Sequence, residues 1–421
     1  MRITGVHTAV VEANYDWTFV RVDAGEELSG LGECFTAPGL TAIVRDLAPL
    51  LIGEDPRDVD RLWSKLRWGA SGAGSPAGIV YNAISGIEAA LWDLVGRAYG
   101  VPIHALLGGR FRDSVRVYAD CHAGEALESM DATMVARPAR WAQEPPEAIA
   151  VGAVRNPEHG RAYARAAPDE VFTPEMYAAR ARQVVADLGF SALKFDLDVP
   201  TRYQQDTASG TLTRAEVRAM VELAAAVIDA VGDEVDVAFD CHWRYQVADA
   251  QRLAHELEPL GLLWLEDPVP PENAAALRRV TESTTTPIAT GENGYLRHGF
   301  REAFETGAIS IAAPDFQKTG GLLEARRIAD FADTHYISLA PHCIASPIGT
   351  VAAAHVAAAI PNFLALEWHG MSVPFWEDMV VGGPVIAGGR IAVPSGPGLG
   401  VELNLDVARE YAREGEPFFD E

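Results

Sequence analysis

This sequence predicts an α/β protein, a TIM-type (β/α)7β barrel behind an N-terminal α+β capping domain, on three observations. From about residue 115 onward, short apolar runs rich in β-branched residues alternate with helical patterns, as βα units do. Eight such runs follow one another, the number that closes a parallel barrel. Residues 1–112 read differently, with strand-like runs first and helices after them.

The capping domain opens on "MRITGVHTAVVEA" and "FVRVDAGEELSGLGEC" and continues into the helical "VDRLWSKLRW" and "GIVYNAISGIEAALWDLVGRAYG". Its junction with the barrel, residues 113–385, falls in "LLGGRFRDSV". The eight barrel strands are expected at 115–121, 191–198, 235–241, 262–268, 287–293, 309–316, 336–343 and 362–369. Between them, Thr173 precedes Pro174 as a cap before a first-turn proline, Thr213 precedes a second helix, and Gly189 and Gly232 suit the stops. Two stretches break the pattern: 122–172, rich in Ala, Pro and Arg, and "DVPTRYQQDTASGTLT" after the second strand. Both emerge at the C-terminal face of the barrel, where active sites of this architecture lie.

With 48% apolar residues, a chain of 421 can bury a large core, and a formal net charge of −25 without a basic run argues against nucleic acid or an anionic membrane as partner. An anionic substrate would then need local help, such as a bound cation. The four cysteines lack C-x-x-C spacing, which argues against disulfides or structural zinc and fits a reducing cytoplasm. No export signal or membrane-length apolar stretch is legible, so a cytoplasmic location is expected.

The chemistry sits at the strand ends. Lys194 and Asp196 end the second strand, Asp240 and His242 the third, Glu266 and Asp267 the fourth, Glu292 the fifth, Asp315 the sixth, His342 the seventh and Glu367 the eighth. Unpaired buried charge is costly, so polar residues recurring at seven successive strand ends mark a site. Asp240, Glu266 and Glu292 lie one βα unit apart and should converge. Three hard oxygen ligands without a paired cysteine or histidine suit Mg²⁺, which keeps open positions for water and substrate.

These motifs, "FDCHW", "WLEDP", "TGEN", "PDFQKTGG", "APHC" and "LEWH", resemble in order and spacing those of the enolase superfamily, and within it the mandelate racemase subgroup. The resemblance covers nearly the whole chain and implies that the tail, 386–421, packs back on the capping domain. It also implies chemistry in which a metal-bound carboxylate substrate loses its α-proton to give an enediolate. His342 then stands as the base and Asp315 as the residue that orients it. Glu367 matches an acid that, protonated, donates a hydrogen bond to the substrate carboxylate. Lys318 is set aside as the base of the muconate-lactonizing subgroup, because Asp315 is the inward residue there.

Residues two apart on a strand share a face, so Asp240 and His242 are expected to point together into the mouth. The D-x-H sequence is similar to that of sugar-acid dehydratases of the superfamily, in which the histidine helps the 3-hydroxyl leave as water. On the second strand the racemase pattern of two lysines is broken, since Asp196 replaces the second base. Lys194 is left to neutralise the enediolate, Asp196 either holds a sugar hydroxyl or pairs with Lys194, and Trp368 and His369 line the sugar pocket. The expected activity is therefore a Mg²⁺-dependent acid-sugar dehydratase giving a 2-keto-3-deoxy acid, with a racemase or epimerase of a 2-hydroxy acid as the alternative. A non-catalytic binder would have no reason to keep the triad, the dyad and Glu367 together. Which sugar acid is bound depends on loops 13–19, 67–78 and 122–172, where Arg137, Arg140 and Arg155 either catch a distal carboxylate or face solvent. A homo-oligomer is expected from the resemblance.

Overall fold

A computed structural model describes residues 1–73, 77–121, 129–131, 139–141, 161–163, 172–199, 203, 209–371 and 373–419. β1 (Ile3–Val11), β2 (Trp17–Ala24) and β3 (Leu28–Cys34) form an antiparallel sheet. Helices α1 (Leu40–Leu47), α2 (Val59–Gly69), α3 (Ile79–Tyr99) and the short α4 (Ile103–Leu106) complete the cap. Leu62, Trp63, Leu66, Ile84, Ile87 and Leu91 of its helices join Val20 and Val22 of the sheet in a core of their own.

The barrel strands are β4 (Ser114–Cys121), β7 (Ala192–Asp196), β8 (Asp236–Asp240), β9 (Leu265–Glu266), β10 (Ile288–Thr290), β11 (Ile311–Ala312), β12 (Ser338–Leu339) and β13 (Leu366–Trp368). They run parallel in chain order, β13 pairs β4, and a bridge from Leu339 to Phe363 closes the ring. Among the described residues, seven helices link them: α5 (Pro174–Leu188), α6 (Arg214–Val231), α7 (Val247–Leu257), α8 (Ala274–Thr281), α9 (Leu296–Thr306), α10 (Leu322–Asp333) and α11 (Pro347–Ala359). Thr173 accepts from Met176 N at 3.2 Å, and Thr213 forms a reciprocal capping box with Glu216. β5 (Ser129–Asp131) and β6 (Arg161–Tyr163) pair antiparallel within the long insert. The ladders are shorter than the apolar runs suggest, because Pro268, Pro314 and Pro341 have no N–H to continue them.

Tyr118, Ala192, Ala238, Trp264, Ala289, Ile311, Ala340 and Ala365 fill the barrel interior as one buried layer. Tyr118 and Trp264 meet edge to face at 5.1 Å in a ring whose other members are five alanines and Ile311. The alternate positions, such as Val117, Leu193, Phe195, Val237 and Phe239, face outward into the larger core shared with the helices.

Two buried carboxylates of the cap seat it on barrel helices. Glu88 accepts from Leu322 N and Leu323 N at 2.7 and 3.0 Å, where α10 begins. Glu33 accepts from Ser346 N and Gly349 N at 3.0 Å each, where α11 begins. Burial pushes both acids up to about 7, against these hydrogen bonds and the helix dipoles. β14 (Val380–Val381) pairs with β16 (Glu402–Leu403) of the tail, while β15 (Arg390–Ala392) of the tail pairs antiparallel with β4. Arg413 N and Phe419 N then donate to Val10 O and Thr8 O of β1 at 2.9 and 2.6 Å. No helix among the described residues is long and apolar enough to cross a membrane.

The base of the assembly holds a buried histidine pair. His104 and His355 stack at 5.3 Å with their Nδ1 atoms 3.1 Å apart, and His355 Nε2 lies 2.9 Å from Leu399 O. The carbonyl requires Nε2 to donate, so His355 Nδ1 accepts from His104. A proton there would set donor against donor. Burial, with His104 beside it, lowers His355 to about 4. The unfolded chain therefore binds more protons between about 6.5 and 4, and stability falls as pH drops through that window, by about 3 kcal/mol in all. His355→Gln should flatten this part of the stability–pH curve in denaturant titrations, and an unchanged slope would discount the pair.

Candidate active site

The site is the next inward layer of the barrel. Two residues beyond Tyr118, Ala192, Ala238, Trp264, Ala340 and Ala365 stand Asp120, Lys194, Asp240, Glu266, His342 and Glu367, all buried. Asp315 lies four beyond Ile311 on the same face. On β10 that position is Gly291, at φ +147°, where a Cβ would come within 2.9 Å of Ala313 N. The chain turns there, and Glu292 enters the layer one residue late.

Asp240, Glu266 and Glu292 each offer an oxygen, and the three lie within 4.8 Å of one another. Lys194 Nζ stands 3.2 Å from Asp240, 3.4 Å from Glu266 and 2.7 Å from Glu367, one ammonium among three acids. Lys194 thus pairs with these acids and not with Asp196. Burial and the neighbouring acids push Glu266 up to about 7 despite Lys194, and its Oε1 is buried without a hydrogen-bond partner. A hard divalent cation fits this set: it would take the unpartnered oxygen and offset the surplus charge.

His342 Nδ1 lies 2.8 Å from Asp315 Oδ2, and its Nε2 faces the site, 3.5 Å from Glu292 and 3.7 Å from Glu367. Burial opposes a charge on this ring, but Glu292, Glu367 and Asp315 outweigh it and push the imidazole up to about 10. Phe35 of the cap lies 6.0 Å from the ring, and Lys318 Nζ stands 4.3 Å above Phe35, its ammonium disfavoured by burial.

Glu367 differs from its expected protonated form. Its Oε2 accepts from Cys343 N at 2.8 Å and its Oε1 meets Lys194. Burial would raise it, yet Lys194 and His342 hold it below the ordinary carboxylate range. Both of its oxygens thus face donors, the Cys343 N–H and the Lys194 ammonium.

His242 reaches the mouth by another route than strand alternation. β8 stops at Asp240, and His242 and Trp243 turn left-handed at φ +43° and +60°. Asp240 Oδ1 accepts from His242 N at 2.8 Å and stabilises the turn. His242 Nε2 comes to 3.4 Å from Asp240 and 3.8 Å from Asp196.

Trp368, expected in the sugar pocket, points outward instead. It stacks on Phe190 at 5.4 Å and meets Trp376 in the helix layer, because β13 turns Glu367 and His369 inward on either side of it. His369 Nε2 lies 3.2 Å from Asp120, and its Nδ1 lies 2.9 Å from Asn14 of the cap loop. Arg140 is exposed, as one of its two expected placements had it, and pairs there with Glu12, its N and Nε at 2.9 and 3.1 Å from the carboxylate. Arg137 and Arg155 lie outside the described residues.

Asp198, Asp120, Asn14 and the buried Asp267 went unassigned in the sequence. Asp198 had a signal in "LKFDLD", which continues the alternation of Lys194 and Asp196 one step further, while Asp267 was named as a strand end without a role.

A capped (β/α)7β barrel carrying this acid triad and an Asp–His pair defines an enolase-type enzyme. The chain belongs to that superfamily: residues 176–407 match the family described as "Enolase C-terminal domain-like", and 3–108 the "Mandelate racemase / muconate lactonizing enzyme, N-terminal domain". It is similar to the D-xylonate dehydratase of Haloferax volcanii, at 44% identity over 100% of this chain and 91% of that one. It is 30% identical to the D-galactonate dehydratase of Ralstonia nicotianae over 94% of this chain and 91% of that one. A mandelate racemase/muconate lactonizing enzyme-like protein from Rubrobacter xylanophilus superposes with a TM-score of 0.85 at 45% identity, covering 99% of both chains.

Proposed function

We propose that the protein is a Mg²⁺-dependent dehydratase of an aldonic or aldaric acid, with D-xylonate the first substrate to test, giving a 2-keto-3-deoxy acid. The observation that carries this reading is the placement of two imidazoles at opposite ends of the triad, His342 beside Glu292 and His242 beside Asp240. Elimination needs one base and one acid, whereas racemisation needs bases on both faces of the α-carbon. Similarity to proteins named as D-xylonate and D-galactonate dehydratases supports the substrate class.

Asp240, Glu266 and Glu292 would hold the cation, and when bound it supplies positive charge against the second negative charge developing on the substrate carboxylate. His342 Nε2 takes the α-proton while Asp315 holds the resulting imidazolium. The ammonium of Lys194 faces the charge that develops on the substrate. Nε2 of His242 protonates the 3-hydroxyl as it leaves, and the enol ketonises.

A panel of aldonates and aldarates, assayed with Mg²⁺ in D₂O, tests this. 2-Keto acid from D-xylonate or a related acid is the expected result. α-Deuterium exchange or epimerised substrate without keto acid would move the protein to the racemase reading. The same reading carries a homo-oligomer, for which Trp68, Tyr99 and Phe111 offer exposed apolar surface, and a monomer in light scattering would count against it. It also carries a cytoplasmic location, supported by four free buried cysteines, and recovery of the native protein outside the cell would refute it.

A further inference from the structure

His242 is held as His342 is. Its Nδ1 lies 2.9 Å from Asp198 Oδ1, against 2.8 Å for the His342–Asp315 contact. Asp198 and His242 are both buried, and the remaining nitrogen of each ring faces the triad. The backbone around Asp198 is fixed on both sides. Leu197 N donates to Asp240 O at 2.8 Å, and Tyr177 OH donates to Asp196 O at 2.9 Å. This is a second carboxylate–imidazole pair, built from the loop ends of two adjacent strands. At His242 the turn is left-handed, so strand alternation does not set the direction of the ring.

We infer that Asp198 is the positioning residue for His242, holding the proton on Nδ1 and aiming Nε2 at the leaving hydroxyl; the inference rests on the dehydratase reading. A carboxylate accepts only from an N–H, so Asp198 fixes one rotamer and keeps Nδ1 protonated both in the imidazolium that donates from Nε2 and in the neutral ring left after donation. In the elimination, the C2–H electron pair becomes the C2=C3 bond and its proton goes to His342. The C3–O bond breaks with its pair on oxygen, and that oxygen takes the Nε2 proton of His242 and departs as water. Both protons are then accounted for, with no oxidant or further co-reactant. Asp198 touches neither substrate carbon nor leaving oxygen and acts through the ring alone.

The test separates leaving-group departure from proton abstraction. In Asp198→Ala, keto-acid formation should fall about 10- to 100-fold in kcat, the range for removing an orienting partner, with little change in KM. α-Deuterium exchange should persist, and a 3-deoxy-3-fluoro analogue, whose fluoride leaves with less need of a proton, should eliminate nearly as in the parent. Asp198→Asn keeps an acceptor for Nδ1–H and should recover part of the loss, and it serves alone if the alanine variant does not fold. Equal losses of exchange, fluoride release and keto acid would mean a structural role and overturn the inference, as would no loss at all.

A readout independent of turnover uses metal-free protein with ¹⁵N-labelled histidine, the His242 signals being identified by their absence from His242→Asn. At a pH where the ring is neutral, the parent should show Nδ1 protonated and Asp198→Ala a mixture of tautomers; an unchanged tautomer would overturn the inference. Asp196, Asp198 and His242 also offer three atoms within 4.8 Å of one another. Calorimetric binding of two Mg²⁺ per chain, with one lost in Asp198→Asn, would make them a second metal site and refute the positioning role. If the parent makes no keto acid from any substrate, the dehydratase reading fails on its own, while the tautomer measurement still judges the Asp198–His242 pair.

Discussion

His342→Asn should abolish keto-acid formation and α-deuterium exchange together, lowering kcat by about 10⁴-fold while KM and the circular-dichroism spectrum change little. Both reactions begin with the same proton abstraction, and His342 presents Nε2 to the site because Asp315 fixes Nδ1. Asn keeps the volume and a polar contact to Asp315 but cannot take a proton. Asp315→Asn is the informative companion: it can bind the ring in the wrong tautomer, and a loss of about 10²- to 10⁴-fold is expected. NMR of the substrate in D₂O reads both steps at once. Persistent exchange in His342→Asn would place the base elsewhere, and Lys318, buried beside Asn293 and Phe35, would be the first residue to examine.

The difference between His342 and His242 shows which parts of the site a sequence makes legible. Asp240, Glu266, His342 and Glu367 stand two residues past a packed barrel residue, and a period of two survives in the sequence whatever the neighbouring strands do. Glu292 breaks that period, and it was found through its motif and its distance in sequence from Glu266; the bend at Gly291 is a feature of three-dimensional packing against β11. His242 was legible as a residue, but its position comes from two left-handed residues that nothing in "DCHWR" announces. Trp368 was misplaced because a tryptophan beside an inward acid looks like pocket lining until alternation is applied to it as well. Asn14 and Arg140 bond to His369 and Glu12 across hundreds of residues or from within an irregular insert, and no local pattern encodes such contacts.

Adding Mg²⁺ to metal-free protein should release protons and raise stability, and Glu266→Gln should remove both effects. Without a cation, burial among acids lifts Glu266 to about 7 from an ordinary value near 4.5. The folded state then binds more protons than the unfolded chain between those values. Stability of the metal-free protein therefore falls as pH rises from about 4.5 to 7, by about 3 kcal/mol. A divalent cation requires ionised carboxylates, so its binding near pH 6.5 should expel about one proton, measurable by calorimetry in buffers of different ionisation enthalpy. At a cation concentration one hundredfold above Kd, the gain in unfolding free energy should be about 2.7 kcal/mol. In Glu266→Gln the buried charge that opposed folding is gone, so the metal-free variant should be at least as stable as the parent at pH 7. Its Kd for Mg²⁺ should rise by about two orders of magnitude, since charge count sets affinity for a hard cation, and keto-acid formation should vanish. Ion pairing with Lys194 alone makes the opposite prediction: a metal-free variant less stable than the parent, and no proton release from either protein when Mg²⁺ is added.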